Sequence, residues 1–362
     1  MERPRRPKAR GADDNPPNRF HRHHRERVDD GWPGDGEPEP DPRTRLQREH
    51  SRSVITRNRS PDVPFDRSIN PYRGCEHGCI YCYARPSHAW MNLSPGLDFE
   101  TRLFCKPDAP QLLQRELARP GYRPAPVALG SNTDAYQRVE REQRITRRLL
   151  EVLDRYHHPV CIVTKSALIE RDLDLLAPMA ARGLARCAIS LTTLDPALAR
   201  VMEPRAANPA RRLKTIRRLA EAGIPVTVLV APVVPVLTDS ELEALLTAAR
   251  DAGAGSARMT ILRLPREVAG LFGQWLHTHF PDRAGHVLNR IRDLHDGDPG
   301  DNRFGRRMTG SGVFADLIAR RFELATRRLG LGDPEPLRHD LFRPPSPEET
   351  SGQLPLPGFQ GP

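Results

Sequence analysis

The chain has 362 residues, of which 38% are hydrophobic and 28% charged, and its formal net charge is +10. This length exceeds one small domain but suits a barrel-type α/β domain with additional segments. No stretch reaches the ~20 apolar residues of a membrane span, and the basic start is not followed by the apolar run of a secretory signal. We therefore predict a cytoplasmic protein without membrane contact.

Composition divides the chain into three parts. Residues 1–50 are rich in Pro, Arg, His, Gly and Asp, with few large apolar side chains, so we predict a disordered basic tail that includes the cluster His21-Arg22-His23-His24. Residues 331–362 contain eight prolines and are predicted to form a second tail. Residues 51–330 are predicted to form one folded domain with a helical extension at its C-terminal end.

Within this domain, short apolar runs alternate with amphipathic helices. The runs have the length of buried strands. They cover residues 126–130, 159–164, 186–191, 225–231 and 258–264, and a further strand is predicted near 67–70. Gly183, Gly223 and Gly253 each lie between a helix and a strand, the usual place of a helix C-cap. Six such units predict an α/β fold, a partial (β/α)6 barrel of the TIM type with parallel strands and reactive groups at their carboxyl ends.

The cysteines indicate metal binding or catalysis before disulfides. Cys75, Cys79 and Cys82 are spaced C-x3-C-x2-C in one short loop. Thiolates are the usual ligands of iron–sulfur clusters, and because a cubane needs four ligands, three cysteines leave one iron open. Zinc is the alternative, with His77 as its fourth ligand, although the short loop makes tetrahedral closure difficult.

The other three cysteines show no second group of ligands. Cys161 and Cys187 lie within predicted strands and are interpreted as small core residues. Cys105 lies near a predicted strand or turn end.

Polar side chains follow three successive predicted strands. The segments are Gly130-Ser131-Asn132-Thr133-Asp134, Thr164-Lys165-Ser166 and Ser190-Leu-Thr192-Thr193. Because parallel strands bring their carboxyl ends to one mouth, these groups are candidates for binding a cofactor. Ordinary turns and helix caps are the alternative for each of them.

The cysteine loop, with Tyr81 directly before its last cysteine, resembles the hallmark of the radical S-adenosylmethionine (SAM) enzymes. The surrounding residues are similar to the branch that includes spore photoproduct lyase, and the resemblance covers about residues 51–330. It implies a 4Fe–4S cluster whose open iron is chelated by SAM. It also implies that one electron, from a low-potential donor of the flavodoxin or ferredoxin type, cleaves SAM to a 5′-deoxyadenosyl radical that abstracts hydrogen from a substrate.

The resemblance also implies roles for single residues. The loop from Ser131 through Asn132 and Thr133 to Asp134 is expected to bind the methionine amino group of SAM. Ser190 is expected near the ribose and Tyr83 near the adenine.

Two cationic side chains complete the expected cofactor site. Arg205 is expected to pair with the SAM carboxylate through its planar fork. Lys165, one of only four lysines, is expected at the barrel mouth.

Tyr81 and Ser131 are the predicted catalytic positions. Tyr81 and Tyr83 match the tyrosines that flank the last cluster ligand of the lyase. At the position of Ser131 the lyase carries a cysteine that donates hydrogen to the product radical. A serine O–H bond is far stronger than a thiol S–H bond, so repair of thymine lesions by the same route is not expected here.

Charge and two short segments suggest a nucleic-acid substrate. The sequence pI is about 9.8, although arginines alternate with glutamates on helix faces. The segment Arg303-Phe-Gly-Arg-Arg-Met308 is either a phosphate-binding loop or part of a helix cap. Gln353-Leu-Pro-Leu-Pro-Gly-Phe359 resembles, with imperfect spacing, peptides that dock on the bacterial sliding clamp. A non-catalytic iron–sulfur or zinc module that binds nucleic acid is the alternative to an enzyme.

Overall fold

A computed structural model describes residues 10–20 and 43–346. The strands are β1 (Arg45–Arg48), β2 (Ile55–Arg57), β3 (Arg67–Ile69), β4 (Tyr72–Arg73), β5 (Arg102–Cys105), β6 (Val127–Leu129), β7 (Val160–Thr164), β8 (Ala185–Ser190), β9 (Val226–Val233) and β10 (Ser256–Ile261). The helices are α1 (Leu97–Thr101), α2 (Ala109–Leu117), α3 (Glu140–Gln143), α4 (Ile145–Arg155), α5 (Leu173–Ala181), α6 (Pro196–Met202), α7 (Pro209–Glu221), α8 (Leu242–Asp251), α9 (Glu267–His279), α10 (Pro281–Leu294) and α11 (Val313–Leu329). Short 3-10 helices span Arg85–Met91, Ala167–Asp172 and Asp239–Glu241.

The main sheet has seven strands in the order β10-β9-β8-β7-β6-β3-β2. Strands β3 and β6 to β10 pair in parallel with their sequence neighbours, and β2 adds an antiparallel edge to β3. In the described part of the chain, β10 and β2 stay at opposite edges, so the barrel is open. The predicted partial barrel of six parallel strands is therefore confirmed.

Apolar stripes on the helices cover this sheet. Ile145, Leu149 and Leu153 of α4 are fully buried, as the 3.6-residue period requires for one face of a helix. Each predicted C-cap glycine has a positive φ, as at Gly253, where φ is +104°, a conformation that glycine adopts without steric cost.

The last strand differs from its predicted bounds. The apolar run predicts residues 258–264, whereas β10 begins at Ser256 and ends at Ile261. Ser256 pairs with Thr227 of β9, and their hydroxyls are 2.7 Å apart. Small and polar residues at the start of a strand give no apolar signal, which explains the shift.

A three-stranded sheet, in the order β1-β5-β4, carries the cysteine loop. Strand β1 lies within the predicted disordered tail, and residues 10–20 of that tail also pack on the domain. The backbone N–H groups of Gly11 and Ala12 donate to the carboxylate of Glu100 at 3.0 and 2.9 Å. The expectation of disorder was wrong for these two segments, because β1 pairs with β5 and because residues 10–20 are held by backbone hydrogen bonds and by the contact of Phe20 with Trp90.

The predicted C-terminal tail also begins on the surface of the barrel. Leu331 and Leu337 are buried, and the ring centroid of Phe342 lies 5.6 Å from those of Tyr122 and His158. The clamp-like segment that ends at Phe359 and the histidine cluster at residues 21–24 lie outside the described residues. None of the helices in the described ranges is both long and apolar enough to span a membrane.

Candidate active site

The cysteine loop follows β4 and is held by backbone geometry. Gly74 and Gly78 have φ of +73° and +66°, values that favour glycine. A Cβ on Gly74 would lie 2.6 Å from Leu103 Cδ2. The N–H of Cys75 donates to the carbonyl of Phe99 at 2.9 Å. The sequence therefore closes this loop tightly, which brings its cysteines together.

The three thiols form a donor set that fits a cluster. Cys75 and Cys79 are each 8% exposed, and Cys82 is half-buried. Burial, with Asp134 nearby, raises the pKa of Cys75 well above its usual value. Burial, with Glu203 nearby, raises the pKa of Cys79 to about 12. Thiolates in such surroundings would need compensating positive charge, which the irons of a cluster would supply.

The zinc alternative finds no support in the placement of His77. Its Nδ1 lies 3.3 Å from Asp134 Oδ2, and both side chains are buried. Within residues 10–20 and 43–346, no three His, Cys, Asp or Glu side chains are arranged around one metal ion. A cubane does not need that arrangement, since each of its thiolate ligands binds a different iron.

A buried ion pair that sequence reasoning missed supports the cysteine loop. Arg85 donates from Nε to the carbonyl of Cys79 at 2.9 Å and from Nη2 to that of Gly78 at 3.1 Å. The same guanidinium pairs with Glu100 at 2.6 Å, and both side chains are 0% exposed. No sequence signal links Arg85 to Glu100, because each is an ordinary charged residue until the fold joins them.

Asp134 ties two strand ends to the cysteine loop. Its Oδ1 accepts from Thr164 Oγ1 at 2.7 Å, and its Oδ2 accepts from the Lys165 N–H at 2.8 Å. Burial alone would raise the pKa of Asp134, but His77 and these hydrogen bonds outweigh burial and lower the pKa to about 2. The carboxylate expected to bind the SAM amino group thus already accepts hydrogen bonds from the protein.

The neighbouring polar residues are organised by Asn70, which sequence reasoning also missed. Its Oδ1 accepts from the N–H groups of Asn132 at 2.9 Å and Thr133 at 3.4 Å. The hydroxyl of Tyr83 donates to the carbonyl of Ser131. The structure therefore brings Tyr83 and Ser131 together at the end of β6.

A second buried network surrounds Tyr81. Its hydroxyl donates to Glu203, which also accepts from Thr192 Oγ1 at 3.0 Å and from the guanidinium of Arg212. Burial opposes ionisation of Glu203, but Arg212 and Lys165 overcome this and lower its pKa to about 2. Glu203 and Arg212 are further residues that sequence reasoning missed.

Lys165 lies beside this network, whereas Arg205 does not join it. The Lys165 ammonium is 5.9 Å from the ring centroid of Tyr81. Arg205 Nη2 instead lies 3.7 Å from Glu76 Oε1. Ser190, at the end of β8, is buried, and its carbonyl accepts from Arg212 at 3.1 Å.

The remaining cysteines lie apart from the cluster loop. Cys105 and Cys187 are buried in the apolar core, and Cys161 of β7 is half-buried. Burial raises the pKa of all three thiols. The interpretation as a core residue is confirmed for Cys187.

Two exposed aromatic rings and two arginines lie on the Tyr83 side of the site. Tyr83 and Phe304 are 52% and 60% exposed. The guanidinium of Arg307 lies 4.8 Å from the Phe304 ring centroid and pairs with Asp62 at 2.5 Å. Arg263, just beyond β10, donates to Asn302 Oδ1 at 2.9 Å. The basic loop of residues 303–308 is thus partly neutralised by acidic neighbours.

Comparison with known proteins identifies the family. Residues 69–249, half of the chain, match the model of the Radical SAM superfamily. The chain belongs to this superfamily, whose members use a 4Fe–4S cluster and SAM, and its cofactors are accordingly these two.

Relatives at moderate identity have no described function. An uncharacterised protein of Mycobacterium tuberculosis is 38% identical over 235 residues, covering 64% of this chain and 68% of the relative. An uncharacterised protein of Methanocaldococcus jannaschii is 27% identical over 173 residues, covering 48% and 62%. Both likenesses leave the reaction open.

A solved structure shares the fold. Spore photoproduct lyase complexed with dinucleoside spore photoproduct superposes with a TM-score of 0.53 at 13% identity, covering 78% of this chain and 79% of that one. At this identity the likeness shows the architecture alone. It is consistent with the open parallel barrel described above.

Proposed function

We propose that the protein holds its 4Fe–4S cluster through Cys75, Cys79 and Cys82 and abstracts hydrogen from a nucleic-acid substrate. The observation that carries this proposal is the loop of three thiols, with buried Cys75 and Cys79, tied through Asp134 to the carboxyl ends of parallel strands. When bound, the cluster and SAM supply a 5′-deoxyadenosyl radical. The protein contributes binding, orientation and protection from water.

Lys165 is the proposed partner of the SAM carboxylate. Among the described residues, its ammonium forms no hydrogen bond or ion pair; it lies 5.9 Å from the Tyr81 ring centroid, and its charge acts on Glu203 from a longer distance. Arg205 is already paired with Glu76. A half-buried ammonium whose charge acts on Cys79 offers the positive charge that a carboxylate chelated at the cluster requires.

Tyr81 and Ser131 are proposed to position rather than to donate hydrogen. Burial and Glu203 raise the pKa of Tyr81 well above its usual value, so its hydroxyl stays protonated. The hydrogen bond to Glu203 holds the ring in place beside the Lys165 ammonium. Ser131 presents its carbonyl to Tyr83, whose exposed ring is suited to stack against adenine. The strong O–H bond of Ser131 excludes it as a donor to a carbon radical.

Support for a nucleic-acid substrate comes from the surface beside Tyr83. Exposed aromatic rings stack on bases, and guanidinium groups bind phosphate. Phe304 provides the ring, and Arg263 and Arg307 provide the cations. Burial and the charge of Arg307 lower the pKa of Arg263, and a phosphate between the two guanidiniums would relieve their repulsion.

An anaerobic assay with oligonucleotides tests the substrate. Reconstituted, dithionite-reduced protein is mixed with SAM and with single-stranded or duplex DNA or RNA, and 5′-deoxyadenosine is measured. We expect nucleic acid to increase product formation, with deuterium transferred from a labelled oligonucleotide into 5′-deoxyadenosine. Phe304→Ala with Arg263→Gln should reduce the increase about tenfold, given ~1–3 kcal/mol for a stacked base, and leave the oligonucleotide-independent rate unchanged. An active enzyme that shows no dependence on any oligonucleotide contradicts this substrate.

A further inference from the structure

Three arginines from separate parts of the chain lie near one another beside residues 74–78 of the cysteine loop. We call Arg10, Arg138 and Arg205 the arginine face. The N–H of Arg205 donates to the carbonyl of His77 at 3.2 Å, and its guanidinium lies 3.7 Å from Glu76. These contacts place Arg205 directly against the residues between the first two cluster ligands.

The other two arginines reach the same loop through their neighbours. Gln137, which precedes Arg138, accepts from the N–H of Glu76 at 2.9 Å and donates to the carbonyl of Gly74 at 3.1 Å. Gly11, which follows Arg10, packs so closely that a Cβ on it would lie 1.7 Å from the carbonyl oxygen of Gly78. The sequence neighbours of Arg138 and Arg10 therefore contact the cysteine loop, which holds the arginine face beside it.

The arginine face is positively charged. Arg138 is exposed, and no carboxylate of the described residues pairs with it. Glu76 is the acidic group beside Arg205, and Glu100 is already used in the buried pair with Arg85. Burial and the charges of Arg205 and Arg138 lower the pKa of Arg10, while Glu100 and Glu76 act in the opposite direction, as expected for cations that lie near one another.

We propose that the arginine face is the docking site for an acidic one-electron donor of the flavodoxin or ferredoxin type. Glu76 and His77 are only 4% and 3% exposed. A protein donor that approaches the cluster over these two residues therefore contacts the arginine face. Complementary charge accelerates such encounters. In the complex the donor is oxidised by one electron and the cluster is reduced by that electron, with no bond formed or broken.

Stopped-flow reduction of the reconstituted full-length protein tests the docking site. The probe is an acidic flavodoxin in its hydroquinone form, and the signal is the loss of cluster absorbance. Arg138→Glu should lower the second-order rate constant about tenfold at low ionic strength. The wild-type rate should fall as salt is added, and the variant should lose most of this dependence. Arg138→Lys keeps the charge and should retain most of the rate.

Two controls separate docking from other effects. Arg320→Glu places the same charge change on the exposed face of α11 and should leave the rate unchanged. Photoreduced deazaflavin, a small neutral reductant, should reduce wild type and Arg138→Glu equally fast. Equal flavodoxin rates for Arg138→Glu and Arg320→Glu would overturn the proposal.

The docking site rests on the proposed cluster ligands. The experiment distinguishes a wrong docking site from wrong cluster ligands. Cluster assembly is read from absorbance before the donor is added. A chain that assembles no cluster overturns both proposals. An intact cluster with a rate indifferent to Arg138 overturns the docking site alone.

Discussion

The carboxylate of Glu100 joins three parts of the chain around the cysteine loop. It pairs with Arg85 and accepts from the backbone of Gly11 and Ala12. Because the pair is fully buried, removing one partner leaves an uncompensated charge without water. A residue outside the ligand set therefore links Arg85, which binds the loop carbonyls, to the N-terminal segment.

We predict that Arg85→Met destabilises the protein by about 3–5 kcal/mol, the usual cost of breaking a buried pair. The free energy of urea unfolding, measured on cluster-free protein, checks this value. Arg102→Met is the matched control, since Arg102 forms a partly exposed pair with Asp98 at 3.9 Å and should cost at most about 1 kcal/mol. Equal losses in the two variants would be evidence against a special role for Arg85.

Lys165 and Arg205 are the two candidate partners of the SAM carboxylate. Arg205 already pairs with Glu76, whereas the Lys165 ammonium lies near the Tyr81 ring. We expect Lys165→Met to weaken SAM binding about tenfold or more, because it removes the proposed carboxylate partner. Arg205→Met should change the affinity less than threefold. Equilibrium dialysis of the reconstituted protein with labelled SAM measures both dissociation constants. A larger loss for Arg205→Met would restore the assignment that the sequence resemblance implies.

At the scale of elements, Glu170 joins the 3-10 helix Ala167–Asp172 to α7. It accepts from Arg211 at 2.5 Å, from Arg218 at 2.5 Å and from Thr215 Oγ1 at 2.7 Å. Burial alone would raise the pKa of Glu170, but these donors outweigh it and lower the pKa to about 2. A pKa below the unfolded value means that ionised Glu170 stabilises the fold above about pH 4.

We therefore predict that Glu170→Gln lowers the free energy of unfolding at pH 7 by about 1–3 kcal/mol. The difference between wild type and variant should shrink as the pH falls from about 5 toward 2, because Glu170 is then protonated in the unfolded chain while it is still ionised in the folded protein. Urea titrations of cluster-free protein across this range provide the measurement. A difference that stays constant with pH would show that the carboxylate charge is not the cause.

The N-terminal segment of residues 10–20 acts as a second element that supports the loop. We predict that Gly11→Val, which places carbon atoms against the Gly78 carbonyl, displaces this segment and speeds cluster loss in air severalfold. Absorbance of the reconstituted protein after exposure to oxygen measures the rate. Gly285→Ala on α10 is the control, since no atom lies within 4 Å of its Cβ position. Unchanged cluster lifetimes in both variants would argue that the segment does not shield the cluster.

For the whole molecule, sequence periodicity was sufficient to predict the barrel. The buried runs of β6 to β9, the glycines that end the helices and the spacing of Cys75, Cys79 and Cys82 are local signals, and local signals survive in a single sequence. The start of β10 gave no such signal, because Ser256 is small and polar.

The side chains that support the site could not be predicted from the sequence. Glu203 meets Tyr81 across 122 positions of sequence, and Arg85 meets Glu100 across 15. Charged residues of these types occupy solvated surfaces in most proteins. Their burial becomes visible only when the fold brings the partners together, and the same holds for the backbone contacts of Gly11.

Anaerobic cleavage of SAM is the decisive experiment for radical chemistry at this cluster. The protein is reconstituted with iron and sulfide, reduced with dithionite, and assayed for 5′-deoxyadenosine and methionine with wild type and Cys82→Ala in parallel. We predict product from wild type and none from Cys82→Ala. A fully loaded wild-type cluster that forms no 5′-deoxyadenosine, and whose EPR spectrum is unchanged by SAM, would contradict the account.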